Sequence, residues 1–550
     1  MKILFNTLCF VGVLGLFMLQ SCETTDLDLT KNPNQLSPDQ ASPDFLLNGI
    51  QEDFARVVEA FGRTGAEVTR IDYMFGRSYI NNYQPNTFDG RWEDAYTEIR
   101  TDLGAMYGIA NERGLNYHIG MGKFMEAYTM VTLVDFFGDV PYSEANLGAE
   151  NFNPNLDDGA SVYAAAFDLL DEAQAAFGAP AAALPQNDFF YDGDEDLWIK
   201  AINSLRMKMY MTTRLVDNGA LAAFNQIVAS GNYITSIEED LQFSWGTNVV
   251  QPDTRHPRYG LNYAPSGGAS DYMSIDLMNY MDTNDDPRLR YYFYRQNEVT
   301  PGSDGSDPAL ETLQCSLQEA PAHYDGFPFC TLPNGFWGRD HGNNEGIPPD
   351  GFLRTTVGVY PAGGKFDDDS FEGMLLGDGA GGNGITPIIL SSSMDFLIAE
   401  AAMVAGNVGA AKAAVLEGLT KSVEKVLSFG ERDGSSDLSL APTQAEVDAH
   451  ADLVDAAFDA DTEGGWNVLA REFFTSLYGN GIDAYNFYRR TGYPTNLQPN
   501  VEPQPGGFIR SFFYPANFVN NNSNVTQKSG VTSQVYWDTN PSSPGFPESN

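Results

Sequence analysis

Aromatic and aliphatic residues recur at the spacing of an α-helix in several stretches of this chain. One series has intervals of mostly three or four residues and consists of Tyr117, Met121, Phe124, Tyr128, Val131 and Val134. These intervals place the series on one face of a long helix that packs against a core. A second series runs from Trp198 to Val216 and predicts another core-facing helix. The pattern therefore favours a fold built from packed helices.

Other segments also have helical composition, namely 45–61, 161–177, 394–426, 445–461 and 466–477. Gly406 and Asn407 mark a turn that divides the longest of them. No strict repeat of about 34 residues is present in the sequence. The periodicity thus predicts pairs of helices without establishing a helical-repeat solenoid.

The middle and the end of the chain differ in composition from the helical segments. Between residues 218 and 385, glycine, proline, aspartate and asparagine are frequent, and runs such as 377–384 exclude regular elements. Residues 491–550 are again rich in proline and asparagine. We therefore predict one domain over 44–550. In it, a helical scaffold over 44–217 and 386–490 carries a loop-rich insert over 218–385 and an irregular C-terminal part.

The N-terminus predicts export. A short basic start and a largely apolar stretch over residues 3–19 are typical of a signal peptide over 1–21. Cys22 follows a small residue at the expected cleavage point and resembles the lipidated cysteine of bacterial lipoproteins, although Gln20 is unusual there. Acylation of Cys22 would tether the mature chain to a membrane through an extended segment over 22–43. A plain cleaved signal is the alternative.

The four cysteines leave one candidate disulfide. Cys9 is removed with the signal peptide and Cys22 is predicted to be modified. Cys315 and Cys330 are therefore predicted to pair in an oxidising compartment. Their bond would close a loop of about 15 residues and stabilise the fold by about 3 kcal/mol. Two free buried thiols are the alternative.

Composition excludes two broad classes of protein. Lysine and arginine total 31 against 74 aspartates and glutamates, which gives a net charge of -43. A chain with this charge repels the phosphate backbone, so nucleic-acid binding is excluded. Hydrophobic residues make up 42% of the chain and aromatic residues 13%, which is too apolar for a disordered acidic protein.

The sequence lacks the common signatures of catalytic, metal and cofactor sites. None of the five histidines lies in an HxxxH or HExxH arrangement, and no GxSxG or GxxxxGK[ST] motif is present. Asp192 to Asp196 begin like a calcium loop but lack the required glycine and glutamate. We therefore expect no metal, no cofactor and no enzymatic activity, with a calcium site of another type as the alternative for the metal. A secreted glycosidase is a remote alternative. The acidic, aromatic-rich composition fits such an enzyme, but no pair of catalytic carboxylates can be identified among the 74 acids.

Six peptides along the chain point to a known family. They share the order in which that family's sequence signatures occur, and they cover 137–145 (FGDVPYSEA), 196–206 (DLWIKAINSLR), 286–289 (DPRL), 337–342 (WGRDHG), 488–494 (YRRTGYP) and 536–541 (YWDTNP). Together they resemble the SusD/RagB family of nutrient-binding outer-membrane lipoproteins. The resemblance covers nearly the whole mature chain.

This resemblance implies a fold, a role and a partner. The implied fold is all-α, a SusD-like superhelix of helix pairs similar to tetratricopeptide repeats, with a loop-rich ligand-binding part. The implied role is capture of oligosaccharides at the cell surface, on a lipid anchor in the outer membrane. The implied partner is a SusC-like TonB-dependent barrel, over which the lipoprotein forms a lid. Peptides are the alternative ligand, although abundant aromatic residues favour sugars.

Sugar rings present apolar faces for aromatic stacking and a rim of hydroxyl groups for polar side chains. Aromatic residues in irregular segments are therefore the candidate contacts, together with a neighbouring charged pair: Trp337, Arg339, Asp340, Tyr79, Tyr83, Tyr259 and Tyr272. Trp337 leads this set because it has the largest plane and lies beside Arg339 and Asp340. The alternative is that Trp337 anchors its own loop. Helix-face aromatics such as Trp198 are expected in the core.

Overall fold

The computed structural model describes residues 42–264, 267–300, 315, 318–345 and 350–547. The predicted signal peptide, Cys22 and nearly all of the predicted tether lie outside these residues. The chain divides into two units, Met1–Ser42 and Pro43–Asn550, and the helical body is the second of them.

Helices form the N-terminal part of the body, as the apolar spacing predicts. In chain order they are α1 (Pro43–Val68), α2 (Tyr79–Asn82), α3 (Asp89–Glu93), α4 (Thr101–Arg113), α5 (Asn116–Phe137), α6 (Gly159–Phe177) and α7 (Glu195–Thr213). A π-helical segment, Asp94–Arg100, joins α3 to α4. The helix predictions for this part are confirmed, except that α7 ends before Val216.

Helix α5 is buried on nearly all sides rather than on one face. Polar residues such as His118, Glu126 and Asp135 are buried along with the apolar series. A helix surrounded by other elements has no need of a polar face. The helix ends at Phe137, where Gly138 takes a positive φ of 80° that glycine adopts at little cost.

The middle of the chain contains short regular elements among its loops. Its helices are α8 (Ala220–Ser230), α9 (Pro257–Asn262), α10 (Ile275–Thr283) and α11 (Leu289–Tyr292). Its strands are β1 (Leu241–Ser244), β2 (Phe293–Tyr294), β3 (Thr356–Val357) and β4 (Ile385–Ile389). Strand β1 pairs with β4, and β2 pairs with β3, both antiparallel. The β1–β4 pair joins the two ends of this part beside α1.

The C-terminal part is again mainly helical. Its helices are α12 (Ser391–Val404), α13 (Val408–Leu427), α14 (Gln444–Ala460), α15 (Trp466–Ser476), α16 (Ile482–Thr491) and α17 (Ala516–Asn521). The predicted turn between α12 and α13 is confirmed. Gly406 has a positive φ of 75°, and the Asn407 side chain caps α13 by accepting a hydrogen bond from Ala410 N.

Helices that are neighbours in sequence pack as pairs. The pairs are α5 with α6, α7 with α8, α12 with α13, and α14 with α15. Helix α1 packs against α4, α5 and α16, so it links the N-terminal and C-terminal helices. One continuous hydrophobic core runs from Leu47 to Trp537. The described part of the chain is therefore a single packed body of helix pairs.

The loop that contains Cys315 and Cys330 is closed by a disulfide between them. The two sulfur atoms are 2.03 Å apart and the two Cα atoms are 5.6 Å apart. Cys330 packs with Trp337 in a small cluster outside the main core.

Candidate functional site

A cleft of about 1000 Å³ opens between the end of α1 and loops of the middle part. Four stretches and one further loop residue line it, in chain order: Arg63, Glu67, Asp72, Tyr73 and Phe75; Asn82, Tyr83, Thr87 and Arg91; Arg258, Gly267, Ala269, Ser270, Asp271 and Tyr272; Arg339; Gly351, Phe352 and Arg354. A cavity of this size accommodates a small oligosaccharide or a short peptide.

The first wall follows from the way α1 ends. Arg63 and Glu67 are four residues apart, so the helical repeat brings them to the same side of α1. Arg63 Nε donates to Glu67 Oε1 at 3.3 Å. The helix stops at Val68, and Arg70 adopts a positive φ of 66°, at which the chain turns into the segment that carries Tyr73.

A close backbone approach shapes the opposite wall. Ala269 N donates to Gly351 O at 2.7 Å. Gly268 has a φ of 69°, and a Cβ atom at this position would lie 2.3 Å from Gly351 O. Only glycine fits this crossing. The crossing places Phe352 at the edge of the cleft.

A second crossing brings Arg339 beside Tyr272. Arg339 N donates to Met273 O at 2.9 Å. A Cβ atom on Gly338 would lie 2.3 Å from the same carbonyl oxygen. Glycine at position 338 therefore permits the loop that carries Arg339 to run against the segment after α9.

Tyr272 is the centre of a polar network in the cleft. Its hydroxyl donates to Asp350 Oδ2 at 2.7 Å and accepts from Arg339 Nη2 at 3.2 Å. The guanidinium carbons of Arg339 and Arg354 lie 4.1 and 3.7 Å from the ring centroid. Arg354 also pairs with Asp350. Burial raises the pKa of Tyr272, so its hydroxyl stays neutral and can both donate to Asp350 and accept from Arg339.

Aromatic side chains with exposed surface form the rim of the cleft. Phe75 is 51% exposed and Phe352 is 45% exposed. The Tyr73 ring packs edge-on against Tyr272, with centroids 5.9 Å apart. Exposed phenylalanines beside a cavity offer apolar planes that the protein itself does not cover.

Ion pairs hold the floor of the cleft. Arg63 Nη2 donates to Asp271 Oδ1 at 2.7 Å, and Arg258 Nη2 donates to Asp72 Oδ1 at 2.9 Å. The Asp271 carboxylate raises the pKa of Arg63. Burial acts to raise the pKa of Asp271, but the guanidinium groups of Arg63 and Arg258 hold that pKa below its ordinary value. Burial raises the pKa of Glu67.

Three of the candidate contacts predicted from sequence line this cleft. They are Tyr83, Tyr272 and Arg339. Tyr83 is only 2% exposed, and its hydroxyl donates to Glu67 Oε2 at 2.8 Å. Its part in the site is therefore to hold Glu67.

Trp337 and Asp340 lie behind the cleft wall. Trp337 is 1% exposed and packs with Cys330, Phe329 and Leu353. Asp340 Oδ2 accepts from Cys330 N, and its Oδ1 accepts from Gln498 Nε2, both at 2.9 Å. Burial raises the pKa of Asp340 to about 7. Contact of the Trp337 ring with a ligand would require this loop to move.

The two remaining candidate tyrosines do not line the cleft. Tyr79 is fully buried, and its hydroxyl accepts from Arg70 Nη1 at 3.1 Å. Tyr259 lines a separate cavity of about 460 Å³, and its hydroxyl donates to Asp378 O at 2.9 Å. The structure therefore does not bring all seven predicted residues together.

Sequence reasoning missed the residues of the rim. Phe75 directly precedes Gly76, and Phe352 follows Asp350 and Gly351, so both lie in segments with turn composition. A search of such segments for phenylalanine as well as tyrosine and tryptophan would have included them. Their exposure could not have been read from sequence, because it depends on which loops pack together.

One buried group of metal-binding residue types is present in the described part. Oxygen or nitrogen atoms of Asp286, His450 and Glu472 lie within 4.8 Å of one another. Arg288 Nη2 donates to both carboxylates, at 2.6 and 2.9 Å. The guanidinium group already supplies the positive charge that a metal ion would bring. Among the described helices, none is long and apolar enough to cross a membrane.

Comparison with known proteins gives a consistent match. A family model named SusD-like, and described as starch-binding and associating with the outer membrane, matches residues 33–312. No curated protein sequence matches the chain significantly.

Solved structures similar to this chain extend the match to most of its length. A SusD homologue from Bacteroides fragilis NCTC 9343 is 20% identical, with a TM-score of 0.63 over 91% of this chain and 99% of that chain. A SusD/RagB family protein from Bacteroides thetaiotaomicron VPI-5482 is 18% identical, with a TM-score of 0.63 over 91% and 100%. A chitin-binding SusD homologue from Flavobacterium johnsoniae is 18% identical, with a TM-score of 0.62 over 90% and 99%. The predicted all-α, tetratricopeptide-like fold is thereby confirmed.

Proposed function

This chain belongs to the SusD-like family, and from that premise we propose that it is a cell-surface lipoprotein that captures oligosaccharides in the cleft beside Tyr272. The family is described as starch-binding and associated with the outer membrane. We further propose that Cys22 carries the lipid anchor and that a SusC-like TonB-dependent barrel receives the ligand.

The exposed rim of the cleft carries this proposal. Phe75 and Phe352 offer apolar planes, while Arg339, Arg354 and Tyr272 offer hydrogen-bonding groups on the same cavity. Oligosaccharides present both kinds of surface, so they suit a site with aromatic planes and a few oriented polar groups.

Binding without turnover suits the chemistry of the cleft. Asp72 and Asp271 are paired with arginines, and Glu67 is held by Arg63 and Tyr83. A glycosidase needs one carboxyl group as an acid and a second as a nucleophile or base, both facing the sugar. We therefore propose a binding protein, and product analysis after incubation with oligosaccharides tests the point.

Calorimetry with a set of oligosaccharides tests the proposed site. We expect Phe75→Ala/Phe352→Ala to lose about 1 kcal/mol or more of binding free energy per ring. Phe152→Ala is a matched control, because Phe152 is 74% exposed and does not line the cleft. Unchanged affinity in the double variant, or loss of affinity in the control alone, would refute the site. If peptides bind saturably and no sugar binds, the ligand class is peptides and not oligosaccharides.

Two experiments on cells test the anchor and the partner. Cys22→Ala is expected to release the protein from the outer membrane, and retention in the membrane would refute lipidation. A pull-down of the anchored protein is expected to recover a TonB-dependent barrel. Recovery of ligand-competent protein without any barrel would count against the partnership.

A further inference from the structure

We propose that the cleft selects an anionic oligosaccharide, one that carries a carboxylate or sulfate group, and that the Arg91 guanidinium binds this group. The inference rests on the proposed function, because it takes the cleft beside Tyr272 as the ligand site.

The charge of the cleft is opposite in sign to that of the chain. Arginines outnumber acids in its lining by five to three: Arg63, Arg91, Arg258, Arg339 and Arg354 against Glu67, Asp72 and Asp271. The whole chain has 31 lysines and arginines against 74 acids. Local enrichment of arginine in so acidic a protein places a positive field where a ligand would bind.

Most of these arginines have a carboxylate partner. Arg63 pairs with Asp271, Arg258 pairs with Asp72 at 2.9 Å, and Arg354 pairs with Asp350 just behind the lining. Such pairs fix the shape of the floor and leave little charge for a ligand.

Arg91 differs from them. Among the described residues, no carboxylate oxygen lies within 4.0 Å of its guanidinium nitrogens, and its Nη1 donates a hydrogen bond to Thr64 Oγ1. Its guanidinium carbon lies 5.3 Å from the centroid of the Phe88 ring. A half-buried guanidinium that lines a cavity and has one hydroxyl acceptor retains several N–H donors for a ligand.

The electrostatic surroundings of Arg91 agree with this assignment. Burial lowers its pKa, and the favourable effect of Glu67 does not cancel the loss of hydration. The Glu67 carboxylate already accepts from Arg63 Nε and the Tyr83 hydroxyl. A ligand anion would add to the counter-charge that Glu67 and Asp94 supply only in part, and the planar guanidinium matches carboxylate and sulfate oxygens in pairs.

The many acidic residues outside the cleft do not prevent an anion from binding at physiological ionic strength. The Debye length is about 8 Å at physiological salt, so exposed acids farther from the cleft are largely screened. Charges inside the cleft are screened much less. The local excess of arginine therefore decides the preference for an anionic group.

Calorimetry on the full chain tests the inference with three probes of equal length. The probes are a neutral trisaccharide, a uronate trisaccharide and a sulfated trisaccharide, so the carboxylate and the sulfate are measured separately. We expect at least one charged probe to bind at least tenfold more tightly than the neutral one. Arg91→Gln should lower that affinity at least tenfold and change affinity for the neutral probe less than twofold.

Two further variants control the experiment. Arg113→Gln removes the same charge from an exposed position at the end of α4 and should leave every affinity unchanged. Arg91→Lys keeps the charge without the planar fork, and we expect an intermediate affinity for the charged probe. If Arg91→Gln does not fold, as judged by circular dichroism, the Lys variant decides, and wild-type affinity for the charged probe in it overturns the assignment to the Arg91 guanidinium.

The outcomes separate this inference from the proposed function. One outcome is that the neutral probe binds as tightly as the charged probes or more tightly, and that its binding is lost in Phe75→Ala/Phe352→Ala but not in Arg91→Gln. This outcome overturns the anionic preference and leaves oligosaccharide capture intact. Binding of none of the probes, or of acidic peptides only, overturns both. Tenfold selectivity that is unchanged by Arg91→Gln places the anion on another arginine and overturns the assignment.

Discussion

The loop around Trp337 and the loop around Phe352 have similar compositions but differ in the exposure of their aromatic side chains. Each carries a large aromatic residue close to glycine and arginine. Trp337 is 1% exposed, whereas Phe352 is 45% exposed. The two loops are hydrogen-bonded to each other, since Thr355 N donates to Trp337 O at 3.0 Å and Trp337 N donates to Thr355 Oγ1 at 2.8 Å. Irregular backbone alone therefore does not identify a ligand contact.

The difference follows from what each loop must stabilise. Among the described residues between Cys315 and Cys330, one short 3-10 turn at Ala322–Tyr324 is the regular structure. Trp337, Cys330 and Leu353 give it a small apolar cluster of its own. Phe352 directly follows Gly351, at the crossing where the backbones leave no room for a Cβ atom on Gly268 or Gly351, and its side chain stays half exposed. The Trp337 ring is buried within its own loop, and we propose that the exposed Phe352 ring contacts the ligand.

Truncation of Trp337 gives the largest effect expected from this comparison. Trp337→Ala removes the largest member of the cluster and should lower the free energy of unfolding by about 3–5 kcal/mol. Phe352→Ala should change it by less than about 0.5 kcal/mol, because its side chain is half exposed. Denaturant unfolding measures both. A Trp337→Ala protein with wild-type stability and lost ligand affinity would reverse the roles assigned to the two loops.

Removal of the disulfide tests the same cluster from its other end. Cys315→Ser/Cys330→Ser opens a loop of 15 residues. We expect the free energy of unfolding to fall by about 3 kcal/mol, because the unfolded chain gains conformational entropy when the cross-link is absent. Ligand affinity of the folded variant should change little, because neither cysteine lines the cleft. A large loss of affinity would show that the loop positions Arg339.

The helices of this molecule could be predicted from sequence because their determinants are local. The spacing around Tyr117 and Trp198 placed α5 and α7, and Gly406 marked a turn between helices that the structure has. The residues of the cleft could be predicted only in part. Tyr272 and Arg339 are 67 positions apart, and nothing in the sequence pairs them.

Burial was the property that sequence patterns could not supply. Trp337 is buried by Leu353 and Cys330, which come from separate stretches of the chain. Phe75 is exposed although it lies between Met74 and Gly76, in a segment as apolar as many buried ones. Packing between distant parts of the chain determines whether Trp337 and Phe75 are buried, and sequence patterns describe only local structure.

Substitution at the Gly268 crossing should produce a smaller loss that reaches the cleft. Gly268→Ala combines a left-handed φ with a Cβ atom 2.3 Å from Gly351 O, so the backbone at Phe352 must shift. We expect about 2 kcal/mol of destabilisation, together with weaker ligand binding. Gly231→Ala is the matched control, because Gly231 has a φ of 67° and nothing within 4 Å of its Cβ position. If both variants bind ligand equally well, the crossing does not position the rim.

The smallest expected effect is the contribution of Asp340, in the Trp337 loop, to the dependence of stability on pH. Asp340 has a pKa of about 7 in the folded protein, raised by burial from 3.8. The folded state therefore binds more protons than the unfolded state between these values, so this contribution is complete below pH 3.8 and is lost as pH rises through 7. Between pH 6 and pH 8 the loss of stability from Asp340 should be about 1 kcal/mol.

Glu59 in α1 acts in the same direction, because burial also raises its pKa to about 7. The measurement is therefore the difference between wild type and Asp340→Asn. The variant should lose about 1 kcal/mol less than wild type over this interval in denaturant unfolding. Identical pH profiles would mean that Asp340 stays ionised throughout, with the hydrogen bonds from Cys330 N and Gln498 Nε2 outweighing its burial.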